Sequence, residues 1–224
     1  MAGKAIIPVL QLLLVLQLFS CSQKAYEESF PYFQGEIEYQ YSYESDFLDN
    51  DSLTAAKPVK GVFRYDLNNY QSRFFSAEDT ISYYYLSETN SALSQVNSRF
   101  EDNCLDYGIP TDSIIYFNIY ETNEEVMQHS CKVIEYKSKQ MWNQYMVSKE
   151  IKISPKTYKD HIAYNWQFYG SEADGGLILR LEHRFPTYTM KGIATRIRIF
   201  YKSEQALEIS ADKIKDMCRH FVGG

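Results

Sequence analysis

The stretch Phe33 to Glu44, FQGEIEYQYSYE, alternates without a break. Phe33, Gly35, Ile37, Tyr39, Tyr41 and Tyr43 fall on one side, and Gln34, Glu36, Glu38, Gln40, Ser42 and Glu44 on the other. Side chains of a strand point to opposite faces with period 2, so this is a strand with one dry and one wet face. The same grammar returns as far as residue 201. Val59 to Tyr65 and Tyr70 to Ser76 flank the turn-prone Asp66-Leu67-Asn68-Asn69, which predicts a hairpin. Further strands are expected at Ile81–Leu86, Ile114–Tyr120, Cys131–Tyr136, Trp142–Ile153, Leu177–Phe185 and Met190–Tyr201.

Between them, Asp46 to Lys57 is an acidic loop. Thr89 to Asp112 is the least regular part and the longest connection, and Glu121 to His129 is a polar turn. Ser154-Pro155 has the form of a helix start, cap then proline. Ser203 to Phe221 carries one apolar helical stripe, with Ser210 able to open a fresh turn. The expected fold is therefore mainly β. About nine or ten strands form a strongly curved antiparallel sheet, with a short helix and a C-terminal helix covering the concave face.

Residues 1–20 have the form of an address. Lys4 and the amino terminus precede a mostly Leu, Val and Ile run that is too short to span a bilayer of about 20 apolar residues with ease. The run ends Leu18-Phe19-Ser20-Cys21, which resembles a bacterial lipoprotein signal peptide. That resemblance implies cleavage before Cys21 and lipidation of its thiol; Phe19 is bulkier than the motif usually allows. An ordinary secretory peptide ending near a cysteine is the rival reading. The expected layout is a signal peptide over 1–20, a lipidated leader over 21–31 and a single domain over 32–224.

Without Lys4, 22 of the 23 basic residues remain against 29 acidic ones, a formal −7. No basic run or basic helix face occurs, which argues against a nucleic-acid partner. Twenty Tyr and 13 Phe suit pleated, half-buried surfaces, and some of them have the character of an apolar ligand groove.

Chemistry-bearing motifs are scarce. His129, His161, His183 and His220 stand far apart, and none has a neighbour at metal-ligand spacing, so no metal and no cofactor is expected. His183 belongs to a strand's inward set and reads as a core or pocket histidine. Glu36 and Glu38 read as a solvated face. No nucleophile, phosphate loop or acid–base pair is recognisable, so the chain is not expected to be an enzyme. Export exposes cysteines to oxidation. Cys104 and Cys131 are the favoured disulfide pair, because their bond would pin the irregular connection; a pair using Cys218, or three buried thiols, stays open.

The lipobox, the F-x-G-x-I-x-Y opening strand, the Cys131-Lys-Val-Ile-Glu-Tyr136 strand and Met190-Lys-Gly-Ile-Ala after a Leu-rich strand carry a wider likeness. They resemble exported lipoproteins of uncharacterised function, similar to the outer-membrane lipoprotein carrier and sorting superfamily. The resemblance implies a half-open β-barrel with helices across its concave face and an apolar cavity for acyl chains. It transfers no ligand residue, and a lipidated Cys21 departs from the soluble carriers. The functional expectation is a membrane-anchored protein of the cell envelope, outer membrane favoured, that binds a lipid chain or other apolar ligand. The alternative is glycan or protein binding at the cell surface through exposed Tyr, Trp142 or Trp166.

Overall fold

A computed structural model describes residues 32–200 and 207–219, apart from the side chains of 102 and 103. The leader, with Cys21, lies outside the described residues. The first strand, β1 (Gly35–Glu44), buries Ile37, Tyr39, Tyr41 and Tyr43 and turns the residues between them outward. Ten more strands follow: β2 (Lys60–Tyr65), β3 (Asn69–Phe75), β4 (Thr80–Leu86), β5 (Ser91–Val96), β6 (Arg99–Asp106), β7 (Ile114–Val126), β8 (His129–Ser138), β9 (Trp142–Lys152), β10 (Gly176–Arg184) and β11 (Thr189–Ile199). All pair antiparallel in one 11-stranded sheet, ordered β6-β5-β4-β3-β2-β1-β11-β10-β9-β8-β7.

That order forces curvature. The two edge strands, β6 and β7, are consecutive in the chain and are joined by residues 107–113 alone. Seven extended residues reach about 25 Å, whereas the edges of a flat sheet of this width would stand about 48 Å apart. The sheet must curl until its edges approach. Among the described residues the two edges do not pair with each other, so the barrel is half open. Rings and aliphatic side chains from β1 to β5 and β8 to β11 meet in one cluster on the enclosed face. At Gly192, opposite Tyr41, an added Cβ would lie 2.8 Å from the Tyr41 ring, so the ring depends on a bare backbone beneath it.

Several sequence expectations change. The supposed irregular connection over 89–112 holds β5 and β6. In β5, Ser91 to Ser94 are all buried, because both faces are covered; a strand buried on both sides shows no alternation to read. The turn between these strands is Asn97-Ser98, both with left-handed φ (48° and 68°). The polar turn expected over 121–129 shrinks to Met127-Gln128. The strand runs on to Val126, its polar half exposed at the sheet edge. The acidic loop contains α1 (Asn50–Ala56), capped by the Asp49 carboxylate, which accepts from Ser52 N–H at 2.8 Å, and seated by Leu53. The Ser154 hydroxyl does accept from Thr157 N–H (3.3 Å) as a cap would, but the chain beyond it runs through turns and not a helix; the helix α2 (Trp166–Glu172) begins later.

The C-terminal helix, α3 (Ala211–Cys218), starts where Ser210 accepts a hydrogen bond from Lys213 N–H. It packs on the convex face, not the concave one. Ile214 and Cys218 meet Tyr84, Leu86 and Leu93, whose neighbours Tyr85 and Ala92 belong to the inner cluster. The concave face is already filled by rings and by α2, so the last helix takes the other side.

Candidate functional site

The segment 154–175 crosses the concave face and reaches the gap between β6 and β7. Two N–H groups, of Ile162 and Ala163, donate to the Tyr107 carbonyl at 2.7 and 3.0 Å. The Asn90 side-chain amide donates to the Asp160 carbonyl at 2.6 Å. His161 Nε2 lies 2.9 Å from the Tyr70 hydroxyl, and its ring packs against Tyr107, Tyr85 and Trp166. Burial pushes the His161 pKa down to about 4, so the imidazole is neutral at pH 7. Tyr164 and Asn165 both take left-handed backbone angles, φ 57° and 59°, which cost roughly 1 kcal/mol or more each in residues with a Cβ. The Tyr164 N–H donates to Thr111 Oγ1 at 2.8 Å and helps hold that conformation.

The result is an apolar patch at the seam. Ile115 (62% exposed) and Phe117 (48%) on the β7 edge, Ile109 (58%) in the connection and Tyr164 (64%) in the crossing segment are too exposed to be core. The Phe117 ring also packs edge-on against Phe168 of α2, 5.1 Å between centroids.

From Phe117 a transverse row runs across the concave face, set by strand register: Phe117, Tyr136, Asn143, His183, Met190, Tyr43. Tyr136 and Tyr145 share a hydrogen bond at 3.2 Å, and Tyr145 lies edge-on to His183. Tyr43 donates to the Pro58 carbonyl at 2.6 Å, and burial lifts its phenol to about 12. Asn143, 1% exposed, breaks the apolar run, and its Oδ1 has no partner among the described residues. Neither has His183 Nε2, and burial lowers that pKa to about 4. His161 Nδ1 and Trp166 Nε1 are likewise buried without partners among the described residues.

The predicted cysteine pair is corrected. Cys104 bonds to Cys218, with Cα atoms 5.5 Å apart, and so ties β6 to α3. Cys131 is a buried free thiol; desolvation raises its pKa, which keeps it inert. It belongs to the inner cluster, whereas Cys104 packs with the outer cluster beside α3, so the two thiols lie on opposite faces of the sheet. The two tryptophans named for glycan contact are both engaged. Arg184 lies over the Trp142 ring at 4.1 Å while Trp142 Nε1 donates to Glu135, and Trp166 packs in the core. Glu36 and Glu38 do not form a simple wet face. They line a convex-face depression of about 220 Å³ with Arg64, Arg73 and Glu208, where Lys60 holds the Glu38 carboxyl below its ordinary pKa.

No known protein family matches the sequence, and no curated protein does. Among solved structures, PNGF-II is similar over 83% of this chain, at 12% identity and a TM-score of 0.45. This chain spans about a third of that protein's length (32%). A second crystal form of PNGF-II gives 11% identity and a TM-score of 0.44 over 84% of this chain and 33% of that one. The beta-barrel-like protein of domain of unknown function DUF1849 from Brucella abortus is similar over 76% of this chain and 99% of its own. Its identity is 9% and its TM-score 0.37. At such values the likenesses carry no residue across, and the site rests on its own geometry.

Asn143 was legible in principle: strand parity groups it with the inward Tyr145 and Val147. Tyr164 and Thr111 had no such signal, because the turn that presents Tyr164 is held by contacts from distant strands.

Proposed function

We propose that this protein binds an apolar chain at the seam between β6 and β7 and performs no chemistry on it. The exposed cluster of Tyr164, Ile115, Ile109 and Phe117 beside two unpaired edges is the observation that carries this reading. The acyl chain favoured from sequence then lies at the seam and along the row behind it, since rings fill the remaining concave face. A fluorescent fatty-acyl probe titrated into the full chain is expected to bind at micromolar concentration. Each methylene contributes about 0.8 kcal/mol, so shortening the probe by two carbons weakens binding about tenfold. Ile115→Asp and Tyr164→Ser should each weaken it about tenfold as well. Length-independent binding, or binding indifferent to both substitutions, would refute the reading.

The address is part of the same proposal: lipidation at Cys21 and attachment to the envelope membrane, without a nucleic-acid partner. Cys21→Ser should move the protein from the membrane to the soluble fraction. Retention of the variant on membranes after a high-salt wash would rule the tether out.

A second reading has one observation in its favour. β7 is 13 residues long and, among the described residues, is paired along one side only, which leaves room for an extended peptide to add there as a further strand. Protection of the β7 edge amides from hydrogen exchange by a partner, without chain-length dependence, would favour it.

A further inference from the structure

Asn143 and His183 lie directly opposite each other on β9 and β10, so their Cβ atoms stand about 5 Å apart on the same face. Both are inward: Asn143 follows the parity of Tyr145, whose ring meets that of His183 at 5.5 Å. Two buried polar atoms, Asn143 Oδ1 and His183 Nε2, are left without partners among the described residues. Native interiors satisfy the great majority of such atoms, and an unpaired one costs about 1–3 kcal/mol. They sit midway along a row whose other members are Phe117, Tyr136, Met190 and Tyr43, and Phe117 is shared with the seam.

We infer that Asn143 and His183 recognise an uncharged hydroxyl or carboxamide on the head of the bound chain. This rests on the apolar-ligand reading above and narrows it to a neutral amphiphile. The Asn143 carbonyl oxygen only accepts. A ligand hydroxyl donates to it and, through its own oxygen or a second hydroxyl, serves His183 Nε2 in either tautomer; a primary amide does the same. A carboxylate offers no proton to Asn143 Oδ1. The row contains no cationic side chain to offset a buried anion, whose desolvation is costly. His183 is neutral for the same reason of burial and does not supply that charge.

The test uses the full chain at pH 7 and four probes of one length: dodecanol, dodecanamide, dodecanoate and dodecane. Binding is followed by tyrosine and tryptophan fluorescence, and the His183 ring nitrogens by NMR. Dodecanol and dodecanamide should bind about tenfold tighter than dodecane and dodecanoate, and should shift the His183 Nε2 resonance. Asn143→Leu should erase the preference for the alcohol and the amide while leaving dodecane binding in place. The wild-type comparison stands even if that variant fails to fold. If dodecane and dodecanol bind alike, or the alcohol leaves His183 Nε2 unmoved, the pair holds only a resident water and the inference falls, while the seam reading survives. If none of the four binds, the seam reading falls and takes this inference with it.

Discussion

Cys104→Ser and Cys218→Ser should each lower the free energy of unfolding by between 4 and 5 kcal/mol, on the order expected for opening a loop of this length. The bond spans 114 residues, and in the chain-entropy account a longer closed loop restricts the unfolded chain more. The folded side adds a second reason. α3 has eight residues, too few to persist alone in water, and it covers Tyr84, Leu86 and Leu93 on the convex face. Urea unfolding of the two variants should give equal losses, with dithiothreitol reproducing them in the wild type. Cys131→Ala removes only a buried thiol and should cost about 1 kcal/mol. A Cys218→Ser variant as stable as the wild type would show that Cys104 has another partner in solution.

Acid should weaken the fold through two histidines. His161 and His183 have pKa values near 4 in the folded protein because burial disfavours their charged forms. Unfolded, each takes up a proton near pH 6.5. Between these values the unfolded state binds more protons, so stability rises with pH across the window. The contribution is fully present above about pH 6.5 and is lost as pH falls to about 4. At about 1.4 kcal/mol per unit, His161 accounts for up to about 3 kcal/mol. His183 is half-buried, and solvent screening makes its share smaller. Urea unfolding at pH 7 and pH 4.5 measures the loss. His161→Phe should be less stable at pH 7, because Tyr70 loses its partner, yet should show a shallower pH slope. An unchanged slope in that variant would place the acid sensitivity elsewhere. The consequence for the site is direct: His161 sits in the segment that presents Tyr164, so protonation should release the seam first.

Much of this was readable from the chain because alternation is a local property. The inward side chains of Ile37, Tyr39, Tyr41 and Tyr43 in the first strand, and the inward His183, were assigned by parity, and the Asp66–Asn69 hairpin turn by its turn-prone residues. The Ser210 cap was equally local, one hydroxyl meeting an N–H three residues on. Where local signals failed, burial explains it: β5 is dry on both faces, and the outer half of β7 is wet on both.

Parity says which residues share a face but not what covers that face or which strand lies alongside. The residues alone thus determined a long antiparallel sheet with an aromatic inner side. The bond from Cys104 to Cys218, the placement of α3 outside the curl, and the row from Phe117 to Tyr43 were decided only in three dimensions. Each joins positions scores of residues apart, and the seam exists only because a short connection pulls the two sheet edges together.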